Sequence, residues 1–161
     1  MQFKKFVKQQ IFTRRFAIEL FAVLFMSMFF YTAISKLTDY TMSREQMALM
    51  PLMTPIAHIV SWLLPLTEII LATLLFFPLT RKIGFYLSTS LMISFTLYIV
   101  YMMLFYPELP CSCGGFLSNL SWPAHLVFNG AFILMGILAI ILLRNRVNTN
   151  GLKSNNYSLA H

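Results

Sequence analysis

The sequence is poor in charged residues and has only two cysteines. Charged side chains make up 11% of its 161 residues and hydrophobic side chains 58%, against roughly 25% and 45–50% in soluble globular domains. A soluble body of this size with 16 Phe and 11 Met would expose large apolar patches. This composition excludes a water-soluble enzyme, a disordered chain and a disulfide-stapled secreted domain. P-loop, dinucleotide-binding glycine and HExxH patterns are also lacking.

The apolar residues fall into four runs, each long enough to cross a bilayer. A bilayer core about 30 Å thick needs about 20 apolar residues in a helix that rises about 1.5 Å per residue. In lipid each run must satisfy its own backbone hydrogen bonds, so we predict an all-α membrane protein, a four-transmembrane-helix bundle. The predicted spans are Phe16–Ser35, Pro55–Phe77, Ile83–Tyr106 and Trp122–Leu143.

The spans divide the chain into three parts. Residues 1–15 form a basic lead, and residues 16–143 form the transmembrane domain. The tail at residues 144–161 is rich in Asn and Ser, and we expect it to be disordered. We expect the first span to be retained as a transmembrane helix, because its apolar run is longer than the core of a usual signal peptide.

The basic residues are unevenly distributed around the spans. Of the 12 Lys and Arg residues, all but Lys36 and Arg44 lie in the lead, in the loop after the second span or in the tail. By the positive-inside rule both termini are predicted to be cytoplasmic, and residues 36–54 and 107–121 to face outward. Since the positive charges flank apolar spans, we predict no nucleic-acid partner.

The two cysteines, Cys111 and Cys113, stand one residue apart on the predicted outward side. A disulfide between them would close too small a loop to stabilise the fold and would require a sharp bend at Ser112. Strained bonds of this kind tend to be labile and catalytic. Inert thiols and soft-metal ligands are the alternatives, but exposed thiols on an oxidising face favour a redox-active pair.

Three side chains share one face at the start of the fourth span: Trp122, His125 and Asn129. His125 has the chemistry to act as base for a thiol, to hydrogen-bond a quinone carbonyl or to ligate a metal. Asn129 lies about 10 Å deeper than Trp122 by helix rise, where an amide needs a partner or a polar ligand. The alternative is an interfacial Trp anchor beside a solvated His at the headgroups.

Charged residues near or inside the spans add two further candidates. Glu68 lies roughly 20 Å below the outer surface, too far from Cys111 to be its base, and an acid in lipid predicts a structural or proton-path role. Lys36 is predicted in the outer layer, at the outward end of the first span. There its ammonium would bind a thiolate or a lipid headgroup, or extend to the membrane surface. Glu19 follows Arg15 by one turn, which predicts a surface pair between them.

The 11 methionines raise a copper alternative, because thioether and thiolate ligands favour Cu(I). Most of them lie within the spans, where Met is ordinary apolar filling. Four others cluster in the predicted outer connection: Met42, Met47, Met50 and Met53. We predict no metal site and keep copper binding as an alternative.

Several of these segments resemble one family. Residues 31–39 (Tyr-Thr-Ala-Ile-Ser-Lys-Leu-Thr-Asp) resemble the start of DoxX and MauE-like proteins, and residues 65–69 (Pro-Leu-Thr-Glu-Ile) fit as well. The Cys-x-Cys-Gly loop with the three residues of the fourth span resembles the methylamine utilisation protein MauE and its relatives. The family motif is often Cys-x-Cys-Phe-Gly, and Gly114 stands here in place of the aromatic residue. The resemblance covers residues 16–143.

The resemblance implies a multi-pass protein of the bacterial inner (cytoplasmic) membrane, with the Cys-x-Cys loop on the periplasmic side. It links the chain to disulfide formation or electron transfer outside the cytoplasm. A remoter similarity is to quinone-linked thiol oxidases of the vitamin K epoxide reductase kind. The implied partners are the lipid bilayer and a thioredoxin-like or secreted thiol protein, and the candidate cofactor is a quinone.

We therefore predict a MauE-like membrane thiol–disulfide redox protein, either a quinone-linked oxidoreductase or an accessory to one. Cys111 and Cys113 would exchange disulfides, with Cys113 as the attacking sulfur and His125 tuning the thiol. Trp122 and Asn129 would shape a pocket for a quinone. The alternatives are a non-catalytic membrane subunit that docks a partner and a soft-metal binder.

Overall fold

The computed structural model describes residues 2–49, 54–106 and 122–158. Within these ranges every regular element is a helix, and four helices are long and apolar enough to cross a membrane. The predicted all-α bundle of four spans is therefore confirmed. The elements are α1 (Gln2–Thr38), α2 (Tyr40–Ala48), a 3-10 turn (Thr54–Ile56), α3 (Ala57–Phe76), α4 (Arg81–Phe105) and α5 (Trp122–Ser158).

The helices that carry the first and last spans run well beyond them. The α5 helix continues to Ser158, so the tail that we expected to be disordered from residue 144 is helical up to that point. Once a helix is formed, each added residue gains one backbone hydrogen bond without a new nucleation cost. After Pro123 the sequence holds no proline that would interrupt this extension.

The four long helices form a ring. The α1 helix packs along α3 and α4 packs along α5, with smaller contacts between α3 and α4 and between α1 and α5. Residues 77–80 form the hairpin between α3 and α4, at what we call the hairpin end. The opposite end, where residues 107–121 join α4 to α5, is the cysteine end. There α2 packs against α3, with the Tyr40 and Trp62 rings 5.2 Å apart.

The half of the bundle nearer the hairpin end is tightly packed. Phe25 of α1 makes edge-to-face contacts with Phe85 of α4 and Phe132 of α5, at centroid distances of 5.8 and 5.1 Å. A methyl group at Gly136 would overlap the Thr89 hydroxyl, so α4 and α5 approach each other closely there. Small residues at such contacts are typical of helix packing in membranes.

Arg81 joins three helices at the hairpin end. Its guanidinium donates to Glu19 Oε1 of α1 at 2.5 Å and to the Leu75 carbonyl of α3 at 3.0 Å. The predicted surface pair between Glu19 and Arg15 is therefore wrong, because Glu19 pairs with Arg81 instead. Arg81 thus connects Glu19 of α1 with the Leu75 carbonyl near the end of α3.

Candidate functional site: a cavity with buried polar side chains

A cavity of about 60 Å³ lies between α1, α3, α4 and α5, in the half of the bundle nearer the cysteine end. Most of its wall is apolar. Four buried polar side chains also line it: Lys36, Glu68, His125 and Asn129. Ionisable and amide groups inside membrane spans are costly and mark functional positions by default. The cavity is therefore the candidate functional site.

An ion pair forms one wall of the cavity. Lys36 Nζ donates to Glu68 Oε1 at 2.6 Å, and the two side chains are only 9% and 7% exposed. Lys36 lies in the last turn of α1, and side chains on a helix lean toward its N-terminus. This direction carries the ammonium inward along the bundle and accounts for the contact.

The ion pair corrects the predicted environment of Lys36. We expected its ammonium in the outer layer, at a thiolate, a headgroup or the membrane surface, but the structure buries it beside Glu68. The predicted interior position of Glu68 agrees with its 6% exposure. Its second carboxylate oxygen, Oε2, has no hydrogen-bond partner among the described residues.

His125 and Asn129 form the wall that α5 contributes. They lie one turn apart, both face the cavity, and they are 1% and 2% exposed. The alternative of a solvated His at the headgroups is therefore wrong. The His125 ring lies 6.2 Å from the Phe95 ring of α4. Within the described part of the chain, Asn129 Nδ2 is a buried donor that has no acceptor.

Three predicted site residues lie wholly or partly outside the described residues. Cys111 and Cys113 belong to the segment 107–121, and of Trp122 only the backbone is described, as the first residue of α5. In sequence, both cysteines precede the first turns of α5, which carry His125 and Asn129. Among the side chains that the structure does describe, no group of three His, Cys, Asp or Glu residues is placed to hold a metal.

The sequence did not predict that Lys36 and Glu68 belong to one site. The two residues are far apart in the chain, and each was interpreted alone. The available signal was that an acid and a base both lie in or beside apolar spans, where charges usually pair. Thr32 was also missed. It lies one turn before Lys36, lines the cavity and donates to the Met28 carbonyl at 3.1 Å.

Four helices that are long and apolar enough to cross a membrane, around a cavity with four buried polar side chains, define an integral, multi-pass membrane protein. The chain belongs to the MauE family, because the model of the family described as "Methylamine utilisation protein MauE" matches residues 14–143. The match includes nearly all of the four spans, so the predicted MauE resemblance is confirmed. Neither a curated protein nor a solved structure matches the chain.

Proposed function

We propose that the protein is an integral membrane thiol–disulfide redox protein, which supports disulfide formation or electron transfer to a partner outside the cytoplasm. The supporting observation is that four polar side chains from α1, α3 and α5 converge on one cavity. This cavity lies toward the end of the bundle at which the segment with Cys111 and Cys113 joins α5. A subunit that only docks a partner does not need buried polar atoms facing a void.

The cysteine pair would carry out the exchange. A Cys113 thiolate attacks a disulfide of a thioredoxin-like or secreted thiol protein and forms a mixed disulfide, with release of one partner thiolate. Cys111 then attacks the sulfur of Cys113 and releases the second partner thiolate. The partner gains two electrons and the Cys111–Cys113 pair loses them, and the same steps in reverse deliver a disulfide to the partner.

A quinone would be the group that receives or supplies these electrons. Asn129 Nδ2 is a buried donor suited to a carbonyl oxygen, and phenylalanines line the walls. Asn129 and Trp122 would hold the ring. A bound quinone supplies an acceptor for two electrons and two protons. His125, one turn closer to the cysteine end than Asn129, would take the proton of the attacking thiol.

The proposed location is the inner membrane of a bacterium, with both termini in the cytoplasm and the Cys-x-Cys loop in the periplasm. The uneven distribution of Lys and Arg supports this orientation. The wider relationship to DoxX proteins and a role in methylamine utilisation stay predictions.

Thiol trapping in intact cells tests the proposal. Cells are pulsed with an oxidant, quenched with acid and treated with a maleimide polymer that adds mass to each free thiol. We expect the pair to change from two labelled thiols to none, and Cys111→Ser to trap a mixed disulfide with a partner through Cys113. Ser112→Ala, in the same loop, is the matched control and should behave as the wild type.

Three results would argue against this function. A pair that stays fully reduced through the oxidant pulse would exclude thiol–disulfide exchange. Full function of the Cys111→Ser/Cys113→Ser variant would favour the docking subunit, and copper retained by the purified protein under reducing conditions would favour the soft-metal binder.

A further inference from the structure

Two buried polar atoms at the cavity have no hydrogen-bond partner among the described residues, and they are of opposite kinds. Glu68 Oε2 only accepts hydrogen bonds while the carboxylate is charged, and Asn129 Nδ2 only donates. Their residues are 6% and 2% exposed and line the same cavity. An unpaired buried polar atom is costly, so the two atoms call for an occupant of the cavity that both donates and accepts.

The size of the cavity restricts the occupant to small molecules. A cavity that takes a benzene ring has a volume of about 150 Å³, whereas this one has about 60 Å³. At roughly 15–30 Å³ for each molecule, it holds about two to four water molecules. A quinone ring held by Trp122 and Asn129 would therefore lie beside the cavity and not inside it. The Asn129 amide nitrogen has two N–H groups, so it can donate on both sides.

The cavity also offers enough polar groups to hold water. A buried water molecule needs about two to four polar partners, and a purely apolar cavity of this kind stays dry. Besides the two unpaired atoms, the cavity is lined by the Lys36 ammonium, which has three N–H groups, and by the Thr32 hydroxyl, whose oxygen also accepts. These groups come from α1, α3 and α5, so water between them joins three helices in one hydrogen-bonded network.

We propose that the cavity binds a cluster of water molecules, which donates to Glu68 Oε2, accepts from Asn129 Nδ2 and carries a proton from His125 to Glu68. His125 lines the same cavity as these two residues. The titratable groups at the cavity are Lys36 of α1, Glu68 of α3 and His125 of α5, and the described side chains of α4 there are apolar. Histidines and acids inside a bundle are the side chains from which proton relays in membranes are built.

The proton route rests on the proposed function, whereas the binding of water does not. Attack by Cys113 on a disulfide requires a thiolate, so one thiol proton must leave. His125 takes this proton and releases one to the water cluster, which passes one to Glu68 Oε2. Glu68 is then a neutral acid, and Lys36 keeps its hydrogen bond to Oε1. No electrons move in this step, because they stay with the sulfur.

Hydroxyl-radical footprinting of the full chain in lipid nanodiscs tests whether the cavity holds water. A short X-ray pulse splits water molecules, and the radicals oxidise the side chains next to them, methionine among the first. Met92 and Met102 of α4 form a matched pair, since they are 6% and 0% exposed and, of the two, only Met92 lines the cavity. We expect Met92 to be oxidised several times faster than Met102.

Two variants should reduce the hydration of the cavity. Asn129→Leu removes a donor and fills space with a larger side chain, and Lys36→Met/Glu68→Gln removes both charges together. Either variant should slow the oxidation of Met92 several-fold. The matched control is Ser88→Ala, whose hydroxyl is also buried and unpaired among the described residues but does not line the cavity. It should leave the oxidation of Met92 unchanged.

The pH dependence of the cysteine reaction tests the proton route. Oxidation of the cysteine pair by hydroxyethyl disulfide is followed from about pH 6 to about pH 10, on both sides of the usual thiol pKa of about 8.5. Lys36→Met/Glu68→Gln and Asn129→Leu should each slow it at least about tenfold at about pH 7, where a base must remove the proton. The loss should disappear at about pH 10, because the thiol then ionises without a base. Glu19→Gln, at an ion pair away from the cavity, is the control and should keep the wild-type profile.

Equal oxidation of Met92 and Met102 would overturn the inference, because it would show a dry cavity. In a hydrated cavity, an unchanged pH profile of the variants, or a loss of rate at every pH, would overturn the proton route and leave thiol exchange standing. Failure of the proposed function gives a different result. The cysteine pair then reacts at no pH, which removes the proton route as well, while the oxidation of Met92 still decides whether water is bound.

Discussion

Neutralising one member of the Lys36–Glu68 ion pair should destabilise the protein more than neutralising both. Each side chain is less than a tenth exposed, so each single substitution leaves one buried charge without a counter-charge. Breaking a buried pair in this way costs about 3–5 kcal/mol. Replacing both residues, as in Lys36→Met/Glu68→Gln, removes one hydrogen bond and both desolvated charges, which costs about 0.5–1.5 kcal/mol.

The two single substitutions should also differ from each other. Glu68→Gln leaves a lysine in the last turn of α1, from which its long side chain can extend to the membrane surface. Lys36→Met leaves a carboxylate in the middle of α3, whose short side chain has no such route. We therefore expect Lys36→Met to be the least stable of the set and Glu68→Gln to be intermediate.

Reversible unfolding in mixtures of SDS and a mild detergent gives the free energies of the four proteins. The expected order of stability is wild type, double variant, Glu68→Gln and Lys36→Met. A double variant that is less stable than both single variants would refute the reasoning, because it would show that neither charge depends on the other. Equal losses in the two single variants would refute the role assigned to the depth of Glu68.

The same unfolding assay checks two further predictions. Gly136→Ala should cost about 1–3 kcal/mol because the new methyl overlaps Thr89, and Thr89→Ala should restore part of that loss. Gly130→Ala is its control and should be neutral or stabilising by up to about 1 kcal/mol, since a methyl there meets nothing within 4 Å; equal effects at both glycines would contradict the close approach. Glu19→Gln should cost less than about 1 kcal/mol because its side chain is 60% exposed. Arg81→Gln should cost about 1–3 kcal/mol because a carbonyl of α3 also loses its donor, and a larger loss for Glu19→Gln would count against this order.

The spans could be predicted from the sequence because a long apolar run in lipid has few alternatives to a helix. The shared face of His125 and Asn129 could be predicted for a similar reason, since their spacing is one helical turn. In both cases the answer depends only on residues close together in the chain.

Contacts between distant residues could not be predicted in this way. Glu19 has Arg15 one turn away in sequence, but its partner Arg81 comes from another helix. The ammonium of Lys36 turns inward because Lys36 lies in the last turn of α1 and because α3 places Glu68 deeper in the bundle, within reach of it. Such contacts depend on which helices are neighbours, and local spacing contains no information about that. The helical tail is a different case, since its polar composition predicts disorder while the continuity of α5 extends the helix.

The position of the ion pair has a consequence for biogenesis. Lys36 and Glu68 lie on the first two membrane spans, so their charges can neutralise each other as soon as the second span has left the ribosome and entered the bilayer. Glu19 must wait for Arg81, which opens the third span, and the cavity lacks His125 and Asn129 until the fourth arrives. The first two spans can therefore pair as an early assembly unit, and the polar wall of the cavity is completed only when the fourth span joins them.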